Sequence, residues 1–332
     1  MANALHIGKL RLRSRVLVAP MSGVTDLPFR RILSRFAPGA VVSEMIAGEG
    51  LAKDDPENVA RAAGGRDIEP MAVQLVGRDP EWMARGAEKL EAAGAQLIDI
   101  NFGCPARKVV TGMSGSALMR EPELAQRIVA AVVDAVSVPV TVKMRLGWDD
   151  DSLNAPQIAQ DAVSAGAVAI TVHGRTRCQF YDGQADWSAV RCTTEALDVP
   201  VFVNGDIRDA ETARAALEQS GADGVMVGRS LIGRPWALWP IMSAIDGTSP
   251  RQEEPSPTEK ARHALDHYEG ILDFYPVRKG VRVARKHLVG YATEAGLTDD
   301  DPRRQRLARS DDPDEVREVL TTLFDAEKQA AA

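Results

Sequence analysis

Eight short apolar runs occur in order between residues 16 and 229, most of them separated by polar, alanine-rich segments with helical spacing. The runs are VLVAPM (16–21), AVVSEM (40–45), MAVQLV (71–76) and LIDINF (97–102), then VPVTVKM (138–144), AVAITVH (167–173), PVFVNG (200–205) and GVMVGR (224–229). Each has the length and apolar density of a strand buried on both faces. The intervening segments include PEWMARGAEKLEAAG (80–94) and DAETARAALEQSG (209–221), and several end at glycine (Gly94, Gly166, Gly221), the residue favoured just past a helix C-terminus. Eight strand–helix units in this span predict an α/β chain folded as a (β/α)₈ TIM barrel. A doubly wound open sheet is the rival, but no GxGxxG follows the first run.

The opening LHIGKLRLRSRVLVAP alternates apolar and polar residues around Gly8, which predicts a small hairpin closing the barrel floor. After Ile245 the composition changes to DGTSPRQEEPSPTEK, a linker signature. The expected organisation is a barrel over 1–245, a linker over 246–257 and a separate all-helical domain over 258–332, with a frayed EKQAAA tail.

Composition narrows the function classes. The 332 residues carry 47 acidic and 40 basic groups, a net charge of −7, with 45% hydrophobic residues. That excludes a mainly disordered chain. No apolar run reaches the length of a membrane span and the first ten residues lack a secretory h-region, so a cytoplasmic, monomeric protein is expected. Three scattered cysteines (Cys104, Cys178, Cys192) are too few for a disulfide framework and sit in no zinc spacing, so no metal is expected. Cys178 and Cys192 read as small buried hydrophobes.

Barrel chemistry sits at the C-terminal ends of the strands, and the unusual residues collect there. The first run ends Pro20-Met21-Ser22, the third carries Gln74, and the fourth ends Asn101-Phe102-Gly103-Cys104-Pro105. The fifth carries Lys143 and is followed by Arg145; then come His173-Gly174-Arg175, Asn204-Gly205-Asp206 and Gly228-Arg229. Any one of these has an ordinary structural reading. Seven at one end of a barrel indicate a site. Glycine turns after the last two strands, with Asn204 and Arg229, suit a phosphate monoester. Lys143 and Gln74 at the barrel centre suit the polar edge of a flavin, so the arrangement is suited to FMN. Cys104, in a turn beyond a strand, can act as nucleophile or proton donor, and no partnered base makes it a standing thiolate. The following GMSGSALM (112–119) reads as a mobile loop.

Arg278, Arg282 and Arg285 share one helical face, flanked by Lys279, Lys286 and His287, in a segment without acids. A charge run is often only a solvated face, but in an acidic chain this stripe suits a phosphate backbone.

Together APMSGVTD (19–26), QLVG (74–77), NFGCP (101–105), KMR (143–145), HGRT (173–176), NGDI (204–207) and GR (228–229) closely resemble the motifs of tRNA-dihydrouridine synthases, in order and along the whole barrel. RKH (285–287) resembles the helical signature of the bacterial B branch, with one departure, Gly290 where that branch tends to have Trp. The resemblance implies an FMN enzyme that reduces the carbon 5–carbon 6 bond of specific uridines in the tRNA D-loop, with NADPH or NADH as transient reductant. It implies Cys104 as proton donor and Pro20, Met21, Ser22, Gln74, Lys143, His173, Asn204, Gly205, Asp206, Gly228 and Arg229 as the cofactor site. Asn101, Arg145 and Arg175 would hold uracil, and Arg278, Arg282, Arg285 and Lys286 would meet tRNA. The alternatives are an FMN barrel reducing a small pyrimidine or enone, which has no need of the basic stripe, and a non-catalytic RNA-binding protein on the same fold.

Overall fold

The computed structural model describes residues 5–62, 64–247 and 254–325. A short antiparallel hairpin, β1 (His6–Ile7) and β2 (Leu10–Arg11), precedes eight parallel strands. These are β3 (Val16–Val18), β4 (Ala40–Ala47), β5 (Met71–Val76), β6 (Leu97–Phe102), β7 (Val140–Arg145), β8 (Ile170–His173), β9 (Val201–Asn204) and β10 (Gly224–Val227). They close in sequence order, with β10 pairing back onto β3, so the expected TIM barrel is present. The third and fourth runs match their strands end to end; the other strands differ from their runs by a few residues.

Strand alternation sorts the side chains into two populations. On β6, Ile98, Ile100 and Phe102 join the core under the helices, as Val140, Val142 and Met144 do on β7. The alternate positions face the barrel lumen. At its N-terminal end these are apolar (Leu17, Ala40, Ala72, Leu97, Ala169, Phe202), and the hairpin's Ile7 packs with them, forming the expected floor. Farther along the same strands the inward positions are Gln74, Asp99, Asn101, Thr141, Lys143, Arg145 and His173. A runs-of-apolar pattern thus conceals a lumen that is apolar below and polar above.

Helix starts carry the signals the sequence offers. Asp79, Ser256, Asp301 and Asp312 each accept backbone N–H bonds at the head of a helix with Pro in its first turn. Gly94, Gly166 and Gly221 take positive φ after their helices.

The C-terminal region is helical through most of its described length: Pro257–Phe274, Val277–Glu294, Pro302–Arg309 and Pro313–Thr322. These helices dock chiefly on the barrel helix Leu27–Ser34, whose Phe29 stacks on His267 at 5.0 Å and meets His287 at 4.6 Å. Their core is continuous with that of the barrel. The helices Leu238–Asp246 and Pro257–Phe274 flank the stretch expected to be a linker. Residues 248–253 and the EKQAAA tail lie outside the described residues.

Four expectations need correction. Cys178 and Cys192 are exposed, not buried. The 112–119 segment is not loose: Gly115–Arg120 forms a 3₁₀ turn with residues 115–119 buried, and its small residues let it pack directly against Cys104. His287 is buried rather than part of the basic face. Arg285 is balanced from outside its own segment, by Asp311 at 2.8 Å. Gly290, the departure from the B-branch pattern, crosses Gly233 so closely that a Cβ at Gly290 would stand 3.0 Å from the Gly233 nitrogen.

Candidate active site

The lumen opens at the C-terminal ends of the strands into a cavity of about 1040 Å³. Pro20, Met21 and Ser22 line one wall, Gln74, Asn101 and Cys104 the next, and Lys143, Arg145 and His173 continue around it. Asn204, Gly205, Asp206, Gly228 and Arg229 complete the ring. Arg175 stands behind this wall. Arg278, Arg282 and Arg285 do not line the cavity, and Lys286 lines a smaller one.

A hydrogen-bonded chain runs along the lumen wall over the neighbouring strands β5, β6 and β7. Thr141 Oγ1 and Gln74 Nε2 both donate to Asp99, each at 2.7 Å. Asn101 Nδ2 donates to Gln74 Oε1 at 2.7 Å, and Asn101 Oδ1 accepts the N–H groups of Gly103 and Cys104. A carboxylate that can only accept thereby orients two amides and, through them, the Cys104 turn. Sequence reasoning missed Asp99 and Thr141. The signal was present, because an aspartate inside LIDINF has no place in an apolar strand unless it faces a polar lumen.

Burial pushes Asp99 up to about 6 and Lys143 down to about 8. Lys143 donates to Asn204 Oδ1 at 2.9 Å, and Asn204 Nδ2 donates to the Met226 carbonyl. Burial also pushes the Cys104 thiol up, despite Arg145 and Lys143 nearby. The thiol is therefore protonated at neutral pH. Its loop is pinned by Ser116, whose hydroxyl donates to the Cys104 carbonyl at 2.8 Å.

The two buried arginines serve the walls. Arg145 donates to the carbonyls of Gly103, Thr176 and Phe180, joining the Cys104 turn to the loop after β8. Arg175, 1% exposed, pairs with Asp206 at 2.6 Å and donates to the Asp182 and Gly183 carbonyls. Its Nη1 lies 3.2 Å from His173 Nε2; a guanidinium only donates, so Nε2 accepts and the imidazole is neutral. Burial, with Lys143 and the arginines around it, holds His173 well below its ordinary range. Burial pushes Asp206 up, but Arg175, the Ala185 N–H and Arg229 more than offset this and leave it low.

Gly205 (φ 116°) and Asp206 (φ 53°) are both left-handed, and a Cβ at Gly205 would meet Ala185 at 2.7 Å and His173 at 2.8 Å. Only glycine permits this turn beside the histidine. Beside this turn, Gly228 and exposed Arg229, whose guanidinium lies 3.2 Å from Asp206, form a corner that could accept an anion.

A closed parallel barrel with a protonated thiol, a buried lysine and an anion corner at its C-terminal mouth defines a barrel enzyme. A family model described as dihydrouridine synthase matches residues 17–330. The chain is 48% identical over 328 residues to a probable tRNA-dihydrouridine synthase of Rhodobacter capsulatus, covering 98% of this chain and 99% of that one. It is 46% identical to a protein of the same description from Rickettsia conorii, covering 96% of each. With tRNA-dihydrouridine synthase B of Pasteurella multocida it shares 39% identity, again over 96% of each chain. The chain belongs to the dihydrouridine synthase family, whose members are flavin-dependent oxidoreductases.

Proposed function

We propose that this protein reduces the carbon 5–carbon 6 bond of a D-loop uridine in tRNA, with FMN as cofactor and NADPH as reductant. The observation that carries the reading is Cys104 on the wall of a cavity that also holds Lys143 and Gln74, where burial pushes its thiol pKa up. The residues fit FMN: Asn204, Gly205, Gly228 and Arg229 offer the phosphate corner, while Lys143 and Gln74 offer charge and an amide to the ring. FMN held there would, once reduced by NADPH, supply the hydride for carbon 6.

The chain's own residues do the rest. The mouth admits a uracil extruded from the RNA stack. Arg145 and Asn101 hold the turn that carries Cys104, so the thiol meets the base in one orientation. Cys104 Sγ gives its proton to carbon 5 and recovers one from solvent. Arg175 keeps Asp206 and the loop after β8 in place. Exposed Arg278 and Arg282 meet RNA phosphates.

The test is to record the flavin spectrum of the purified protein, reduce it anaerobically and mix it with unmodified tRNA or free uridine. Reoxidation by tRNA alone, with dihydrouridine in the product, is expected. Bound FMN that tRNA leaves reduced overturns the reading in favour of a small substrate, and failure to bind any flavin overturns the cofactor assignment.

A further inference from the structure

A second cavity, of about 260 Å³, lies where the barrel meets the helix Val277–Glu294. One turn separates it from the first: Met21, Ser22 and Val24 line the large cavity, while Gly23, Thr25 and Asp26 line the small one. Arg30, 3% exposed, stands in its wall with Nε and Nη1 closed to the cavity, and exposed Lys279 and Lys286 supply the cations at its mouth.

The other walls carry complementary chemistry. Glu44 accepts the Gly23 N–H through Oε1, leaving Oε2 without a hydrogen bond among the described residues. Asp26 has both oxygens engaged, by the Phe29 N–H and the Tyr275 hydroxyl, so it positions Tyr275 rather than offering itself. Phe274, 42% exposed, stands at the rim beside Tyr275, and Lys279 lies over the Tyr275 ring at 4.9 Å. Lys286 donates to the Gly23 carbonyl on the far side of the same turn.

We propose that this seam cavity binds a second unpaired base of the RNA, a guanine, next to the base that enters the barrel. The inference rests on the tRNA reading above. A carboxylate beside a cation complements the guanine edge, where N1–H and the 2-amino group donate and O6 accepts. Uracil flanks its single N–H with two carbonyls, and adenine and cytosine place an acceptor beside their amino group, so each fits worse. Aromatic rims that stack a splayed base are a general means of reading single-stranded RNA. Extruding one base into the barrel destacks its neighbours, and a cavity across one turn takes one of them.

The test uses the full-length protein, unmodified tRNA, and tRNAs carrying inosine, which lacks the 2-amino group, singly in place of each unpaired guanosine near the target. Wild-type protein should bind one inosine tRNA about tenfold or more weakly. Glu44→Gln should bind guanosine tRNA correspondingly weakly and be indifferent to that inosine, while Phe274→Ala should weaken both RNAs alike. Equal inosine sensitivity in wild type and Glu44→Gln, or no sensitivity at any position, overturns the proposal. Dihydrouridine yield from all-guanosine tRNA separates the two readings: absent yield defeats the function itself, whereas normal yield without inosine sensitivity defeats only the seam site.

Discussion

Asn101 Oδ1 accepts the Cys104 N–H at 2.8 Å, so a residue at the end of β6 sets the orientation of the thiol three residues later. The same amide is fixed from below by Gln74, and Gln74 by Asp99. Reactivity at the mouth is thus organised from a buried carboxylate two residues deeper in the same strand.

Cys104→Ala should keep its flavin and lower dihydrouridine formation about 10²- to 10⁴-fold, the usual scale for losing a positioned acid. Because burial raises the thiol pKa, the fall in rate that belongs to Cys104 should come only above the ordinary thiol range near about 8.5, on top of the fall near about 8 that Lys143 gives to wild type and Cys104→Ala alike. A pH–rate profile measured on reduced enzyme and tRNA checks both points. A wild-type fall below about pH 8 that Cys104→Ala lacks would contradict the proton-donor role.

Asp99→Asn can keep Gln74 through Oδ1 only by turning its NH2 to Thr141, whose hydroxyl then accepts and leaves its own proton without the carboxylate. One unsatisfied buried group costs about 1–3 kcal/mol, which should appear as a lower urea midpoint. Removing the charge should also push Lys143 further down, since Asp99 is the carboxylate that opposes its fall. Weaker flavin binding at about pH 8 than at about pH 6.5 would report that shift.

Arg175→Lys should destabilise the fold by roughly 3 kcal/mol, because a lysine cannot replace the fork that serves Asp206 and two carbonyls. Differential scanning calorimetry would show it as a lower Tm. An unchanged Tm would mean that Asp206 and the loop after β8 need no such clamp.

Arg278→Glu and Arg282→Glu should weaken tRNA binding and reduce its salt dependence, without changing the flavin spectrum. Arg285→Ala should behave differently, because Arg285 already holds Asp311 and the Arg309 carbonyl. Its larger effect should be on stability. Binding isotherms at several salt concentrations distinguish the two classes.

His287 has no hydrogen-bond partner for either ring nitrogen among the described residues, and burial holds it well below its ordinary range; His267 is pushed down to about 3. Each stays neutral in the fold, while the unfolded chain takes up a proton below about pH 6.5. More protons on the unfolded state means stability falls as pH falls through that range. His287→Leu should remove one such contribution, so its advantage over wild type should grow by about 1.4 kcal/mol per pH unit below about 6.5. Parallel denaturation curves at about pH 7.5 and about pH 5.5 measure it.

The barrel was legible because each strand announces itself through local chemistry: apolar runs of strand length, capped helices between them, and glycine where a helix must turn back. The positions of Cys104, Lys143 and His173 at the mouth followed from counting along those strands. What spacing along the chain cannot convey is which charges meet. Asp99 went unremarked within an apolar run until alternation put it inside the lumen; Arg285 looked unbalanced until Asp311, 26 residues away, came beside it. His287 read as a basic neighbour of Lys286, yet helical geometry turns adjacent residues about 100° apart, sending one to solvent and the other under Phe29. Architecture and the chemical inventory of the mouth were therefore present in the amino-acid order, since both depend on local periodicity. Protonation and partnership emerged with folding, because burial and charge proximity arise from residues distant along the chain.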